Sequence, residues 1–201
     1  MRNIRSTFEQ NVFGRESKQQ NNWYCFPAVV SNASRALGFG ECTQDWITKQ
    51  WAMARASDQS GCIPEMQAGP EIIYVLSKSP EYAKRICTNP RSEQSSSPNQ
   101  LDPVKAQHAI DFIRSEITLG RPVLVSTNHY TLQGSTVKPV GFHMLLVLEV
   151  DNMATVHDPA FDCICRIPLR EPLSAINGVV VGGLYDRLAT SDYYCVSFDD
   201  A

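Results

Sequence analysis

The sequence predicts an α+β fold, with helices in the first part of the chain packed on an antiparallel sheet in the second. Apolar residues recur at helical spacing over 25–38 and 103–120, whereas short runs rich in β-branched and aliphatic residues follow residue 120. Helices followed by strands are typical of α+β proteins. With 201 residues, 43% of them apolar, the chain is long enough for one substantial core. We therefore expect a single domain over 1–201, with a helical lobe over about 1–120 and a β lobe over about 121–201.

The first predicted helix begins at Cys25 in the segment CFPAVVSNASRALG. Pro27 fits the first turn, apolar residues follow at helical spacing, and Gly38 provides a C-terminal stop. This places Cys25 at a helix N terminus. A second helix is predicted over about 44–56, and a third from Pro70 in GPEIIYVLSK.

A polar loop and the clearest helix follow. Residues 88–102 (TNPRSEQSSSPNQLD) are rich in Ser, Pro, Asn and Gln, which predicts a loop between the two halves. The next segment, DPVKAQHAIDFIRSEITLG, has Asp102 as its N-cap, Pro103 at the first helical position and Gly120 as its stop. Its apolar stripe consists of Ala106, Ala109, Ile110, Ile113 and Ile117.

Three segments after residue 120 are predicted to be strands: PVLVSTN, FHMLLVLEV and MATVHDP. Residues 130–139 (YTLQGSTVKP), between the first two, are predicted to form a polar loop. The last two strands are predicted to form a hairpin with the two-residue loop Asp151 and Asn152, so that Val150 pairs with Met153.

Counting outwards from that loop places His143 opposite Ala160 and Asp158 opposite Leu145. His143 and Asp158 are then diagonal neighbours on one face, roughly 7–8 Å apart at the backbone and within side-chain reach. A loop one residue longer would place them on opposite faces of the hairpin. The register therefore decides whether the two side chains can meet.

Together with Cys25, these two residues predict a catalytic triad. A cysteine nucleophile needs a base, and the base needs a partner that fixes its tautomer and stabilises its charged form. Cys25, His143 and Asp158 match these three roles. A helix N terminus stabilises a thiolate by roughly 0.3–1 kcal/mol, and a neighbouring imidazolium stabilises it further.

The motifs Gln19-(five residues)-Cys25-Phe-Pro-Ala, GRPVLV, GFHMLLVLEVD and VHDPA resemble those of the papain-like cysteine peptidases. The similarity is closest to the compact bacterial branch, which includes double-glycine leader peptidases of peptide exporters and papain-like effectors delivered into host cells. The resemblance implies a papain-like fold, in which the helix bearing Cys25 packs on the sheet. It also implies that Gln19 donates its side-chain amide to the oxyanion hole, alongside the backbone N–H of Cys25. The chain differs from the exporter peptidases at Phe26, where they usually carry glycine, and at Tyr24, where Asp or Gly is common.

Other residues are alternatives for the same roles. Gln20 is one residue closer to Cys25 than the family spacing requires. His157 and His129, the latter in the predicted loop TNHYTLQG, are alternative bases. His108 lies off the apolar stripe of its helix and is predicted to be a surface residue.

The cysteine content favours a reducing compartment, because seven is an odd number and no CxxC pair is present. Cys163 and Cys165 are spaced too closely for the usual zinc pairs, so we predict no metal and no cofactor. The first 17 residues lack the continuous apolar run of a secretory signal, and no apolar run approaches the length of a membrane span. We expect the protein in the cytoplasm or, as the resemblance implies, secreted without a classical signal peptide into the cytoplasm of a target cell.

The net charge is −3 and the sequence has no Lys/Arg cluster, so it does not predict a basic surface that would bind nucleic acid or an anionic membrane. The expected partner is a protein or peptide substrate, which for an effector is a protein of a host or competitor cell. We predict a cysteine protease that forms a thioester at Cys25. The alternative enzyme is a glutamine deamidase or an acyltransferase on the same fold. The non-enzymatic alternative is a catalytically silent peptide-binding module.

Overall fold

The structure is a computed structural model that describes residues 3–21, 24–38, 42–54, 91–94, 103–133, 136–177, 179–189 and 194–197. The helices within these ranges are α1 (Ile4–Asn11), α2 (Cys25–Leu37), α3 (Gln44–Ala54), α4 (Pro103–Thr118) and α5 (Leu184–Ala189). The strands there are β1 (Arg91–Gln94), β2 (Val123–Gln133), β3 (Thr136–Val150), β4 (Met153–Asp158), β5 (Cys163–Pro168), β6 (Ser174–Ile176), β7 (Val179–Val181) and β8 (Tyr194–Ser197). Of the helices in these ranges, none has the length and apolar character needed to cross a membrane.

Six of the strands form one antiparallel sheet in the order β1-β8-β2-β3-β4-β5. Strands β6 and β7 pair with each other in a separate two-stranded ribbon. The long strands β2 and β3 lie at the centre of the larger sheet. The predicted α+β class is therefore confirmed.

Helices pack on both faces of this sheet. On one face, α1, α2 and α3 share a core with Leu124 of β2 and Leu146 of β3. On the other face, α4 and α5 share a core with Val123 of β2 and Val147 of β3. Because successive residues of a strand point to opposite faces, a strand covered on both sides is apolar throughout. This explains the continuous runs VLV and MLLVL in the sequence.

Most of the helix predictions are confirmed. Helix α2 begins at Cys25 and is followed by Gly38, whose φ of 90° is the left-handed conformation that glycine adopts without strain. Helices α3 and α4 match the predicted helices over 44–56 and 103–120. The helix predicted from Pro70 lies outside the described residues.

Two segments predicted to be loops contain strands instead. Strand β1 lies within 88–102 and pairs with β8 at one end of the six-stranded sheet that the described residues form, and polar residues are common on such edge strands. Strands β2 and β3 continue as a ribbon through most of 130–139, with a bulge between His129 and Tyr130. The rest of 88–102, including the predicted N-cap Asp102, lies outside the described residues.

Helix α1 is not among the helices predicted from the sequence. Asn3 is its N-cap, and the Asn3 side chain accepts a hydrogen bond from the Ser6 amide at 3.0 Å. Ile4 and Phe8 are buried at i, i+4 spacing, and Phe8 is fully buried. A helix of eight residues has little stability of its own, so α1 depends on this packing.

Candidate active site

Cys25 is the first residue of α2, and the packing of that helix fixes its position. Phe26, Val29 and Val30 are fully buried in the core that α2 shares with the sheet, and Cys25 is partly buried beside it. The side chain of the N-cap residue, Tyr24, makes no capping hydrogen bond. The thiol therefore lies at a helix N terminus, where the aligned backbone dipoles stabilise negative charge.

The register of the β3–β4 hairpin differs from the predicted one at its loop. Val150 pairs with Ala154 and not with Met153, so the loop has one residue more than predicted. The Asp151 carboxylate closes this loop by accepting a hydrogen bond from the Met153 amide at 2.6 Å. By itself, the longer loop would place the predicted histidine and aspartate on opposite faces of the hairpin.

A β-bulge at Leu148 restores the alignment. Val147 pairs with Val156 and Glu149 pairs with Thr155, so β3 has one residue more than β4 between these two pairs. Beyond the bulge, the pairing returns to the predicted register. The predicted histidine and aspartate therefore share one face, although the predicted loop was one residue too short.

His143 and Asp158 are joined by a hydrogen bond of 2.9 Å between Nε2 and Oδ1. The Ala160 amide also donates to Asp158 Oδ1, at 2.9 Å, and so orients the carboxylate. The Cys25 thiol hydrogen-bonds to His143 as well, and because Asp158 occupies Nε2, Nδ1 is the ring nitrogen left for the thiol. The three side chains thus form one hydrogen-bonded chain, and their catalytic roles stay a prediction.

The charges along this chain favour a protonated histidine. Burial lowers the pKa of His143, but hydrogen bonds with Asp158 and Cys25, and the negative charges of both, outweigh it and raise the pKa from 6.5 to about 9. Burial opposes ionisation of Asp158 too, yet the hydrogen bond and positive charge of His143 hold the pKa of Asp158 below its usual value. At neutral pH the pair is an imidazolium beside a carboxylate, a state that stabilises a thiolate at Cys25.

The loop before α2 brings Gln19 close to these residues. Its backbone amide donates to the carbonyl of Pro159, the residue after Asp158, at 2.9 Å. The side-chain Oε1 of Gln19 is buried and has no hydrogen-bond partner within the described ranges. Gln20, the alternative, is exposed, and its backbone amide donates to Gln44. The structure therefore places Gln19 beside the site, and its role as an oxyanion donor stays a prediction.

Two buried amide side chains, neither of them predicted from the sequence, hold this loop. Asn32 of α2 donates from Nδ2 to the Ser17 carbonyl at 2.8 Å, and Gln44 of α3 donates from Nε2 to the Lys18 carbonyl at 2.6 Å. Both are almost completely buried. A buried amide needs hydrogen-bond partners, so a polar residue inside the apolar stretch of α2 is the signal that the sequence offers for Asn32.

The alternative bases lie elsewhere. His157 is fully buried on the face of the sheet that packs on α1, with its ring centroid 4.9 Å from that of Phe8. Burial lowers the pKa of His157, although a hydrogen bond of 3.2 Å from its Nε2 to Asp162 opposes this. His108 is exposed on α4, as predicted, and His129 lies in β2 and not in a loop.

Cys163 and Cys165 lie on β5 and hydrogen-bond to each other. Burial raises the pKa of both thiols, that of Cys165 to about 11. Like the other cysteines in the described ranges, neither forms a disulfide. Across the same ranges, no group of three or more side chains is arranged to hold a metal ion. The two thiols of β5 thus differ in electrostatic surroundings from Cys25.

Comparison with known proteins assigns no family to the chain. No protein-family model matches the sequence, and no curated protein matches it. The resemblance to papain-like peptidases therefore rests on the motifs around Cys25, His143 and Asp158.

Proposed function

We propose that the chain is a papain-like thiol hydrolase in which Cys25 is the nucleophile, His143 is the general acid and base, and Asp158 orients His143. The observation that carries this proposal is the hydrogen-bonded chain from Cys25 through His143 to Asp158 at the N terminus of α2. A His-Asp pair with only a structural role would not need a thiol hydrogen-bonded to the other nitrogen of the histidine ring, nor one that lies at a helix N terminus.

The papain-like arrangement is part of the same proposal. A helix that bears the cysteine packs on an antiparallel sheet that bears the histidine and the aspartate. The order along the chain is Gln19, Cys25, His143 and Asp158, as in the family that the motifs resemble. Because one fold supports several activities, the proposed reaction rests on the site and not on the fold.

The proposed reaction is acyl transfer through a thioester. The Cys25 thiolate attacks a substrate carbonyl, whose oxygen takes the negative charge of the tetrahedral intermediate. The Gln19 side-chain amide and the Cys25 backbone N–H stabilise that oxyanion. The His143 imidazolium gives its proton to the leaving group as the bond to carbon breaks. Water, deprotonated by His143, then attacks the thioester and releases the acid and the Cys25 thiolate.

The first test is the pH dependence of Cys25 alkylation by iodoacetamide, followed by peptide mass spectrometry. The wild-type protein should react at Cys25 already at about pH 6, because a neighbouring imidazolium stabilises the thiolate. His143→Ala should lose this reactivity at low pH. Cys163 and Cys165 are internal controls that should stay unmodified at the same pH, because burial raises the pKa of each thiol. A Cys25 that reacts only above about pH 8.5, as an ordinary thiol does, contradicts the proposal.

The proposed substrate is a peptide bond in a protein, and product mass tests this choice. Incubation of the wild-type protein with a peptide mixture should yield fragments, whereas Cys25→Ala should yield none. An uncut peptide in which one side-chain amide has become an acid would instead assign a deamidase. Fragments produced equally by Cys25→Ala would show that Cys25 is not the nucleophile.

A further inference from the structure

Gln44, the first residue of α3, holds the loop that carries Gln19. The residue is only 2% exposed, and both ends of its amide are hydrogen-bonded to the loop. Oε1 accepts from the Gln20 amide at 3.0 Å, and Nε2 donates to the carbonyls of Glu16 and Lys18 at 3.2 and 2.6 Å. A buried amide with three backbone hydrogen bonds fixes the path of that backbone.

The hydrogen bonds of Gln44 lie on both sides of Gln19. The Lys18 carbonyl belongs to the peptide group that precedes Gln19, and the Gln20 amide belongs to the one that follows it. The preceding peptide group is bound at its other end as well, since the Gln19 amide donates to Pro159. With both peptide planes held, the backbone dihedrals of Gln19 and the direction of its Cα–Cβ bond are fixed.

We propose that Gln44 is a positioning residue of the oxyanion hole, which fixes the two peptide groups around Gln19 and so directs the Gln19 amide toward the oxygen of the bound acyl group. This inference rests on the proposed function and adds the residue that preorganises the oxyanion donor. Such donors are effective when they are held in place before the reaction, and a displacement of about 1 Å costs on the order of 100-fold in rate. Gln44 acts through Gln19 and does not itself touch the substrate.

Two reagents separate the oxyanion hole from the nucleophile without a natural substrate. With p-nitrophenyl acetate, the Cys25 thiolate attacks the ester carbonyl, an oxyanion forms, p-nitrophenolate leaves and the acetyl group remains on Sγ. With iodoacetamide, the same thiolate displaces iodide at a saturated carbon, and no oxyanion forms. The ratio of the acylation rate to the alkylation rate therefore reports on the oxyanion hole alone.

Gln44→Met, similar in length but unable to bind the loop, should slow acylation about 10- to 100-fold and leave alkylation unchanged. Gln44→Glu keeps an acceptor for the Gln20 amide but loses the donor to two carbonyls. It should slow acylation in the same way, and it replaces Gln44→Met if circular dichroism shows that the latter is unfolded. Gln107→Met is the matched control, because it removes the hydrogen bonds of a glutamine on α4 to Asp111 and Arg170, and it should change neither rate.

The Gln19→Ala background decides whether Gln44 acts through Gln19. If it does, Gln44→Met slows acylation in the wild type and has no further effect in Gln19→Ala. The inference is overturned if Gln44→Met acylates at the wild-type rate, slows acylation and alkylation equally, or keeps its full effect without Gln19. Failure of the proposed function looks different, since wild-type Cys25 would then show neither acylation nor alkylation at low pH, and both proposals would fall.

Discussion

Replacing Asp158 by alanine should lower the pKa of His143 and weaken the proposed thiolate–imidazolium pair. The hydrogen bond of 2.9 Å between Asp158 Oδ1 and His143 Nε2 stabilises the protonated ring, and the carboxylate charge adds to this. Asp158→Asn keeps an acceptor oxygen but loses the charge, so its effect should be smaller. The two variants therefore separate the charge of Asp158 from its hydrogen bond.

The size of the effect follows from the pKa of His143. Its rise from 6.5 to about 9 is a difference of about 2.5 pH units, which corresponds to roughly 3 kcal/mol in favour of the protonated ring. Burial lowers this pKa, and the hydrogen bond and negative charge of Asp158 are among the interactions that raise it. A neighbouring opposite charge shifts a pKa by roughly 1–3 pH units. We therefore expect Asp158→Ala to lower the pKa of His143 by at least about one pH unit.

The assay is a titration of the histidine ring nitrogens by NMR. The chain has four histidines, and His143→Ala identifies the signal of His143. A wild-type His143 that titrates near 6.5, or one whose pKa is the same in Asp158→Ala, would refute the reasoning.

The same pKa also predicts how stability depends on pH. Since the pKa of His143 is higher in the folded protein than the unfolded value of 6.5, its contribution is fully present below pH 6.5 and is lost as the pH rises through about 9. Asp158→Ala removes part of that contribution. The difference in free energy of unfolding between wild type and Asp158→Ala, measured with urea, should therefore be larger at about pH 6 than at about pH 10.

Three further predictions concern the scaffold, each read from urea unfolding at neutral pH. Phe8→Ala should cost about 3–5 kcal/mol, because Phe8 is fully buried between α1 and the sheet; a loss below about 1 kcal/mol would contradict that packing. Asn3→Ala should cost about 1 kcal/mol by removing the cap of α1, whereas Asn3→Asp should retain most of the stability. Arg121→Met should cost about 2 kcal/mol, because it removes the 3.2 Å ion pair with the fully buried Glu116, which keeps its hydrogen bond from Ser197. Glu116→Gln in the same chain should recover part of the loss if the buried charge is the cause.

The helices could be predicted from the sequence where their signals are local. Helices α2 and α4 have proline in the first turn and glycine after the last, and their apolar residues recur at helical spacing. Strand β1 has no such signal, since its residues RSEQ are polar and its pairing with β8 joins segments about a hundred residues apart. A strand of this kind is fixed by tertiary contact and not by propensity.

The site could be predicted only in part, for a related reason. Cys25 could be predicted because it lies at the start of a recognisable helix. His143 and Asp158 could be predicted because they lie on two consecutive strands whose pairing follows from the position of the loop between them. Gln44 was not, because its function in the fold consists of hydrogen bonds to the backbone of a loop more than twenty residues earlier. Backbone carbonyls and amides are present at every residue, so no sequence pattern marks the ones that a buried glutamine will bind.

In the β3–β4 hairpin, the predicted alignment of His143 with Asp158 is correct although the predicted loop is one residue too short. Side chains alternate with a period of two, so one extra residue in the loop and one extra residue in the bulge at Leu148 cancel. The run MLLVL is apolar on both faces of the strand, so the pattern of apolar and polar residues does not distinguish the bulged register from the regular one. The contact that distinguishes them lies next to the bulge: Arg5 of α1 binds Glu149 at 2.9 Å, so the Glu149 side chain lies on the face that packs on α1. Without the bulge, Glu149 would share a face with Val147, which packs on α4 and α5. The hydrogen bond between His143 and Asp158 is compatible with both registers. Because the Arg5–Glu149 contact joins α1 to a strand more than a hundred residues later in the chain, the bulge is a property of the folded protein.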